Sequence, residues 1–162
     1  MTAQAATLIT GISGSLSRRV ADRLLARGDT VVGVDYRKAP SDLDPRIRFY
    51  QANYNKTRIE DVFRHHSFST VLHLGRVGNL KEGMGKRFDL NVLGSQKIMN
   101  LCLQSHVKRL VVMSTFHIYG AHPANHIPIS EEDPLHAGAD FPQIADAIQL
   151  DNMASMLSLI HI

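Results

Sequence analysis

Cysteine is nearly absent. The chain has one, Cys102, so no internal disulfide can form, and a single thiol fits a reducing compartment. It lies in an apolar helical stretch and reads as a buried structural thiol. No apolar run approaches the length of a membrane span, and the N-terminal residues lack a basic region followed by an apolar stretch, so neither an anchor nor a secretory signal is read. A cytoplasmic protein with no membrane partner is the expectation. Internal repeats, low-complexity tracts and linkers are missing as well. The 162 residues suffice for one domain with a proper core, not for a two-domain enzyme. Basic residues are absent from the last third: every Lys and Arg lies at or before Arg109, whereas Glu131, Glu132, Asp133, Asp140, Asp146 and Asp151 follow it. The early positive excess raises nucleic acid as a partner. The bases are scattered along helices and loops without interleaved aromatics, which argues against nucleic acid and for a surface serving a phosphate-rich ligand. The nine histidines show no metal-ligand spacing, and no metal is expected.

What is present begins with Thr7 to Ser17, an apolar strand pattern that turns through Gly11 and Gly14 into a helix opening at Ser15. Gly11 permits a tight turn, Gly14 lets a diphosphate approach bare backbone, and the helix start offers unpaired N–H groups to it. A second apolar run, Thr30 to Asp35, ends in an acid about twenty residues past the glycines, where a dinucleotide fold places its ribose-binding carboxylate. The plainer reading of Asp35 is an acid ending a strand in a solvated turn.

Residues 17–27 carry Val20, Leu24 and Leu25 on one face, the pattern of an amphipathic crossover helix stopped by Gly28. Arg46 to Ala52 alternates polar with apolar, as a strand near a sheet edge would. Arg58 to His65 reads as a short helix with Ile59, Val62 and Phe63 inward. His65 and His66 fall at its end, where a cation favours the helix dipole. Thr70 to Gly75 is the next buried strand, a helix is predicted from Phe88 to Leu103, and Arg109 to Ser114 is a fifth strand. Strands alternating with helices at this spacing predict an α/β fold: a doubly wound parallel sheet of about five strands with helices on both faces.

Five landmarks in chain order carry a resemblance. They are Thr10-Gly11-x-x-Gly14, Asp35, Val71-Leu72-His73-Leu74-Gly75, Asn91-Val92-Leu93-Gly94 and Ser114-Thr115-Phe116-His117-Ile118-Tyr119-Gly120, with the acidic loop Ile129 to Leu135 after them. On these the chain resembles the extended short-chain dehydrogenase/reductases, the NAD-dependent nucleotide-sugar epimerases and dehydratases. The resemblance implies a Rossmann fold, with residues 1–156 as one NAD-binding domain. It implies that Gly11, Gly14, Ser15 and Leu16 hold the pyrophosphate and that Asp35 holds the adenosine ribose. Asn53 and Tyr54 would flank the adenine, and Leu74, Gly75 and Arg76 would line the middle of the cofactor. Asn91 would brace the active-site backbone, and Thr115 would hydrogen-bond the reacting hydroxyl or carbonyl. An acid at position 35 repels a 2′-phosphate, so NAD is favoured over NADP, while Arg37 keeps NADP open. A nucleotide sugar is the substrate-side partner implied for an intact parent.

The sequence also departs from that family. Ser17 replaces the third glycine, Asn53 stands where Asp is usual, and Gly75 replaces an Ala, a change expected to be benign. No Tyr follows Tyr119 and no Lys follows Lys108, so the Tyr-x-x-x-Lys pair is missing from Phe141 to Asp151. In the family that Tyr transfers a proton and the Lys lowers its pKa. His117 lies two residues past Thr115 but is one histidine among many. The expectation is the dinucleotide-binding domain of an epimerase/dehydratase-like oxidoreductase, inactive in this form. The alternative is a non-catalytic dinucleotide-sensing or scaffold protein of the same fold. The family's C-terminal substrate lobe is missing from the sequence, and residues 157–162 read as a non-native tail. An uncovered sheet edge leads to the expectation of a chain that is either marginally stable or oligomeric, a homodimer being the simplest assembly.

Overall fold

The computed structural model describes residues 5–160. Five strands form one parallel sheet in the order β3-β2-β1-β4-β5. They are β1 (Ala6–Thr10), β2 (Val31–Asp35), β3 (Arg48–Gln51), β4 (Phe68–His73) and β5 (Arg109–Val112). The expected doubly wound α/β architecture is what the chain adopts. β1 and β2 are buried along their whole length, as their near-continuous apolar sequences require of central parallel strands. At the two edges, β5 alternates in exposure, while β3 exposes its end residues Arg48 and Gln51 and half-buries Phe49 and Tyr50 between them.

Alternation along the central strands feeds two cores. Ile9 and Val31 point to one face, where α1 (Ser15–Ala26) covers them with Ala21 and Leu25. Leu8, Val32, Val34 and Val71 point to the other face. There α2 (Arg58–His65) contributes Ile59, Val62 and Phe63, and α4 (Gly94–Gln104) contributes Ile98, Leu101 and Cys102. His65 and His66 close α2 differently from a pair of dipole-facing cations. His65 bonds back to the Asp61 carbonyl, and His66 pairs with the Tyr50 hydroxyl at 2.8 Å, where burial and Arg48 push its pKa down.

The helix expected from Phe88 starts earlier, with α3 (Met84–Phe88). It reaches α4 through a π-helical turn at Asp89–Leu93. The wider turn inserts an extra residue, so Leu90, Asn91 and Val92 are all buried in succession. After β5 comes a 3-10 turn at Phe116–Tyr119, the short α5 (Ala137–Asp140), and α6 (Ala145–Ile160). Ile118, Ala137, Ile144 and Ala147 build a small satellite core there. Of the tail read at 157–162, residues 161 and 162 lie outside the described residues, as do residues 1–4 of the expected domain. Among the described residues no helix is long and apolar enough to cross a membrane.

Candidate functional site

A cleft of about 360 Å³ opens at the C-terminal ends of β1, β2 and β4. The chain leaves β1 toward β2 on one side and reaches β4 from the other, so the cleft sits where a doubly wound sheet leaves a crevice. Gly11, Gly14, Ser15, Leu16, Asp35, Tyr54, Leu74, Gly75 and Arg76, all expected from the sequence, line it. Tyr36, Glu82 and Met113 are among its further lining residues, which the sequence did not single out, and Arg37 lines it as well.

Gly11 has φ of 70°, and a Cβ there would lie 2.4 Å from the Gly75 Cα, so the ends of β1 and β4 meet backbone to backbone. The Gly14 N–H closes the turn on the Gly11 carbonyl at 2.9 Å. Gly14 then caps α1 with extended backbone and no side-chain hydrogen bond, and the first turn contains no acid. The N–H groups of that turn therefore face the cleft without an internal acceptor, which suits an anion.

Asp35 is not in a solvated turn: its side chain is fully buried. Oδ2 accepts the Ser13 N–H at 3.0 Å and Arg37 Nη2 at 3.1 Å. Oδ1 accepts the Arg37 N–H at 2.9 Å and Arg37 Nε at 3.1 Å. The carboxylate raises the pKa of the Arg37 guanidinium through these bonds.

Two polar atoms in the cleft wall have no partner, the Tyr54 hydroxyl and Arg76 Nε. Tyr54 is 1% exposed, and burial pushes its phenol pKa up. The adjacent Gly11 N–H is already given to the Val34 carbonyl at 2.8 Å. Burial pushes the pKa of Arg76 down. The exchange of Ala for Gly at position 75 is not benign. A methyl group there would stand 2.3 Å from Tyr54 Oη and 2.9 Å from the Gly11 N.

Behind the cleft, His73 is fully enclosed. Its Nδ1 meets Thr10 Oγ1 at 2.7 Å and its Nε2 meets Ser95 Oγ at 2.8 Å. Thr10 Oγ1 also accepts the Gly75 N–H at 3.1 Å, so the chain of bonds fixes the backbone of the cleft wall. Asn91 does not touch the cleft. It clamps the Val77 peptide from both ends, accepting its N–H at 2.8 Å and donating to its carbonyl at 3.0 Å. Its amide also donates to Asp146 on α6, and Asp146 accepts from Arg87 at 2.6 Å. Asp146 was missed as a site residue. Its signal is an acid flanked by Ile144, Ala147 and Ile148 in a region with no local base.

Two expected residues stand apart. Asn53 spends its side-chain oxygen on the Asn55 N–H at 3.2 Å and does not line the cleft. Thr115 opens the 3-10 turn, its Oγ1 lies 2.8 Å from His117 Nδ1, and it faces a separate recess with Tyr119, Glu131 and Asp151.

Residues 7–142 match the family described as the NAD dependent epimerase/dehydratase family. The chain is 28% identical over 145 residues to a UDP-glucuronate 4-epimerase of Thermodesulfobacterium geofontis, covering 79% of this chain and 45% of that protein. The fold superimposes on the Bordetella bronchiseptica enzyme WbmH, solved with NAD+, with a TM-score of 0.83 and 20% identity over 94% of this chain and 52% of that one. It is similar to MoeE5, solved in complex with UDP-glucose and NAD, with a TM-score of 0.76 and 26% identity over 94% of this chain and 49% of that one. The chain thus spans about half the length of these relatives.

Proposed function

The chain belongs to the NAD-dependent epimerase/dehydratase family, and from that premise we propose that residues 1–156 form a NAD-binding unit related to the nucleotide-sugar epimerases. The observation that carries this is the convergence in one cleft of the glycine turn, the uncapped start of α1 and the buried Asp35 carboxylate. The unpartnered Tyr54 hydroxyl and Arg76 Nε in the same wall fit a polar, anionic ligand.

The backbone of Gly11, Gly14, Ser15 and Leu16 receives the diphosphate, and Asp35 receives the adenosine ribose hydroxyls. Tyr54, Leu74, Gly75 and Arg76 wall the middle of the site. Asn53 shapes the loop before Tyr54, and Asn91 holds the Val77 peptide in place. NAD, when bound, supplies a hydride acceptor for a sugar-type alcohol. Thr115 would orient that alcohol in a protein with a substrate lobe, where UDP-glucose or UDP-glucuronate is the class of partner.

The chain as given lacks a proton-transferring Tyr-Lys pair, and on α6 the acid Asp146 is committed to Arg87 and Asn91. That commitment favours, as a second reading, a dinucleotide-sensing or scaffold role without turnover. A cytoplasmic location fits the single buried thiol. Homodimerisation fits the open edge of β5, where Val111 is exposed.

Calorimetric titration of the purified chain with NAD, NADH and NADPH tests the binding. Association that weakens in Asp35→Ala is expected, and indifference to all three removes the proposal. Adding UDP-glucose or UDP-glucuronate to the NAD-loaded protein should leave NADH absorbance unchanged, and a rise would remove the claim of inactivity.

A further inference from the structure

Two guanidinium groups, Arg76 and Arg87, stand around one carboxylate, Asp146, and only Arg87 is balanced by it. Asp146 Oδ1 accepts Arg87 Nη2 at 2.6 Å and Oδ2 accepts the Asn91 amide, so both oxygens are committed. Arg76 Nε is buried without a partner, and among the described residues no carboxylate pairs with its guanidinium. Burial pushes the pKa of Arg76 down, while Asp146 pulls it up and Arg87 pushes it down as the lesser causes. A guanidinium keeps its proton regardless. Half-buried and uncompensated in the cleft wall, it calls for an anion.

The sheet order fixes where an anion meets it. Asp35 ends β2, the glycine turn and the start of α1 follow β1, and Arg76 follows β4, so Arg76 lies across the glycine turn from Asp35. A ligand with its ribose at Asp35 and its first phosphate at α1 brings its second phosphate to Arg76. The Tyr54 hydroxyl, 1% exposed and unpartnered, lies in the same cleft. Beyond Arg76 the free polar side chains run out. Asn91 is committed to the Val77 peptide and Asp146, the Asn79 side-chain oxygen accepts the Lys81 N–H at 3.1 Å, and Thr115 stands in a separate recess. Val77, Gly78 and Met113 are what remains to line that end.

We propose that Arg76 grips the second phosphate and that the cleft takes an ADP-ribosyl group as its ligand, whatever is attached beyond it. NAD, NADH and free ADP-ribose then bind alike, and the chain responds to their total and not to the NAD/NADH ratio. The inference rests on the dinucleotide reading above and adds to it which part of the ligand is recognised.

Isothermal titration of wild type, Arg76→Gln and Arg76→Lys with NAD, NADH, ADP-ribose and AMP tests it, with thermal melting as the check that each variant folds. In wild type, NAD, NADH and ADP-ribose should agree within about threefold, and AMP should bind about tenfold or more weakly. Arg76→Gln should weaken NAD and ADP-ribose about tenfold and AMP less than about twofold. Arg76→Lys keeps the charge and should restore part of that loss. ADP-ribose weaker than NAD by about tenfold or more in wild type would mean that the nicotinamide is recognised, and would overturn the proposal. An Arg76→Gln loss that is absent, or equal for AMP and ADP-ribose, would make Arg76 a prop of the wall and overturn it too. The wild-type ratio of ADP-ribose to NAD decides the ligand class even where a variant does not fold. Failure of all four ligands to bind wild type overturns the dinucleotide reading itself, and this inference with it.

Discussion

The Tyr54 hydroxyl fills the space that a methyl group on Gly75 would need: a Cβ at position 75 would fall 2.3 Å from Oη and 2.7 Å from Cζ. The two residues belong to different strand ends, yet each sets what the other can be. Gly75→Ala is expected to cost about 1–3 kcal/mol, because a buried aromatic ring and the Gly11 backbone must both give way. Tyr54→Leu in the same chain should recover part of that loss by removing Cζ and Oη. A coupling of about 0.5–3 kcal/mol between the two changes is the expected signature in a urea-denaturation double-mutant cycle, and strict additivity would refute it.

His73 ties stability to pH. Burial pushes its pKa down from 6.5 to about 4, so the folded protein holds it neutral where the unfolded chain takes up a proton. Its contribution is complete above about pH 6.5 and is lost as pH falls toward about 4, because the unfolded state binds the extra proton throughout that window. The loss by pH 4 should be about 3 kcal/mol from this group alone. Urea midpoints measured at pH 7, 5.5 and 4 should fall accordingly, and His73→Asn should flatten the slope. An equally steep slope in that variant would assign the effect to other groups.

The parts of this molecule that depend on short-range pattern were readable from residues alone. Alternation and glycine placement put β1, the turn and α1 in order, and spacing picked out Asp35. Contacts between distant positions were not readable. Gly75 seemed interchangeable with Ala because nothing in its own stretch announces the ring of Tyr54. The π-helical turn was hidden because an inserted residue shifts the apolar period without breaking it, and only the burial of Leu90, Asn91 and Val92 together reveals it. Thr115 was placed beside the cofactor by motif. In the structure Thr115 stands two residues past Met113, the last residue of that segment to line the cleft, and its hydroxyl turns to His117.

Cys102 should be chemically silent while the protein is folded. Burial pushes its thiol up to about 12, so at pH 8 only about one molecule in ten thousand carries the reactive thiolate. Alkylation by iodoacetamide is expected to run at least about a hundredfold slower than for a free thiol and to recover its normal rate in urea. Rapid labelling of the native chain, followed by mass spectrometry, would show that the α4 face opens more readily than its packing implies.

The ion pair of Arg87 with Asp146 is the joint that fastens α6 to the rest of the fold. The two side chains are 2% and 7% exposed, so neither can exchange its partner for water. Asp146→Ala should cost about 3–5 kcal/mol, since it strands a buried guanidinium and removes the acceptor of the Asn91 amide. Replacing both partners, as Arg87→Met with Asp146→Leu, should cost much less, because apolar groups of similar size need no counter-charge. Chemical denaturation of the single and double variants separates the two outcomes. Hydrogen exchange at the Val77 amide adds an independent readout. Asn91 holds that N–H directly and loses its Asp146 acceptor in the single and the double variant alike, so faster exchange in both would trace the damage from α6 through Asn91 to the cleft wall, and faster exchange in Asp146→Ala alone would trace it to the stranded Arg87 guanidinium. A single-variant loss below about 1 kcal/mol would mean that α6 is held by its satellite apolar contacts and that the buried charges merely accompany them.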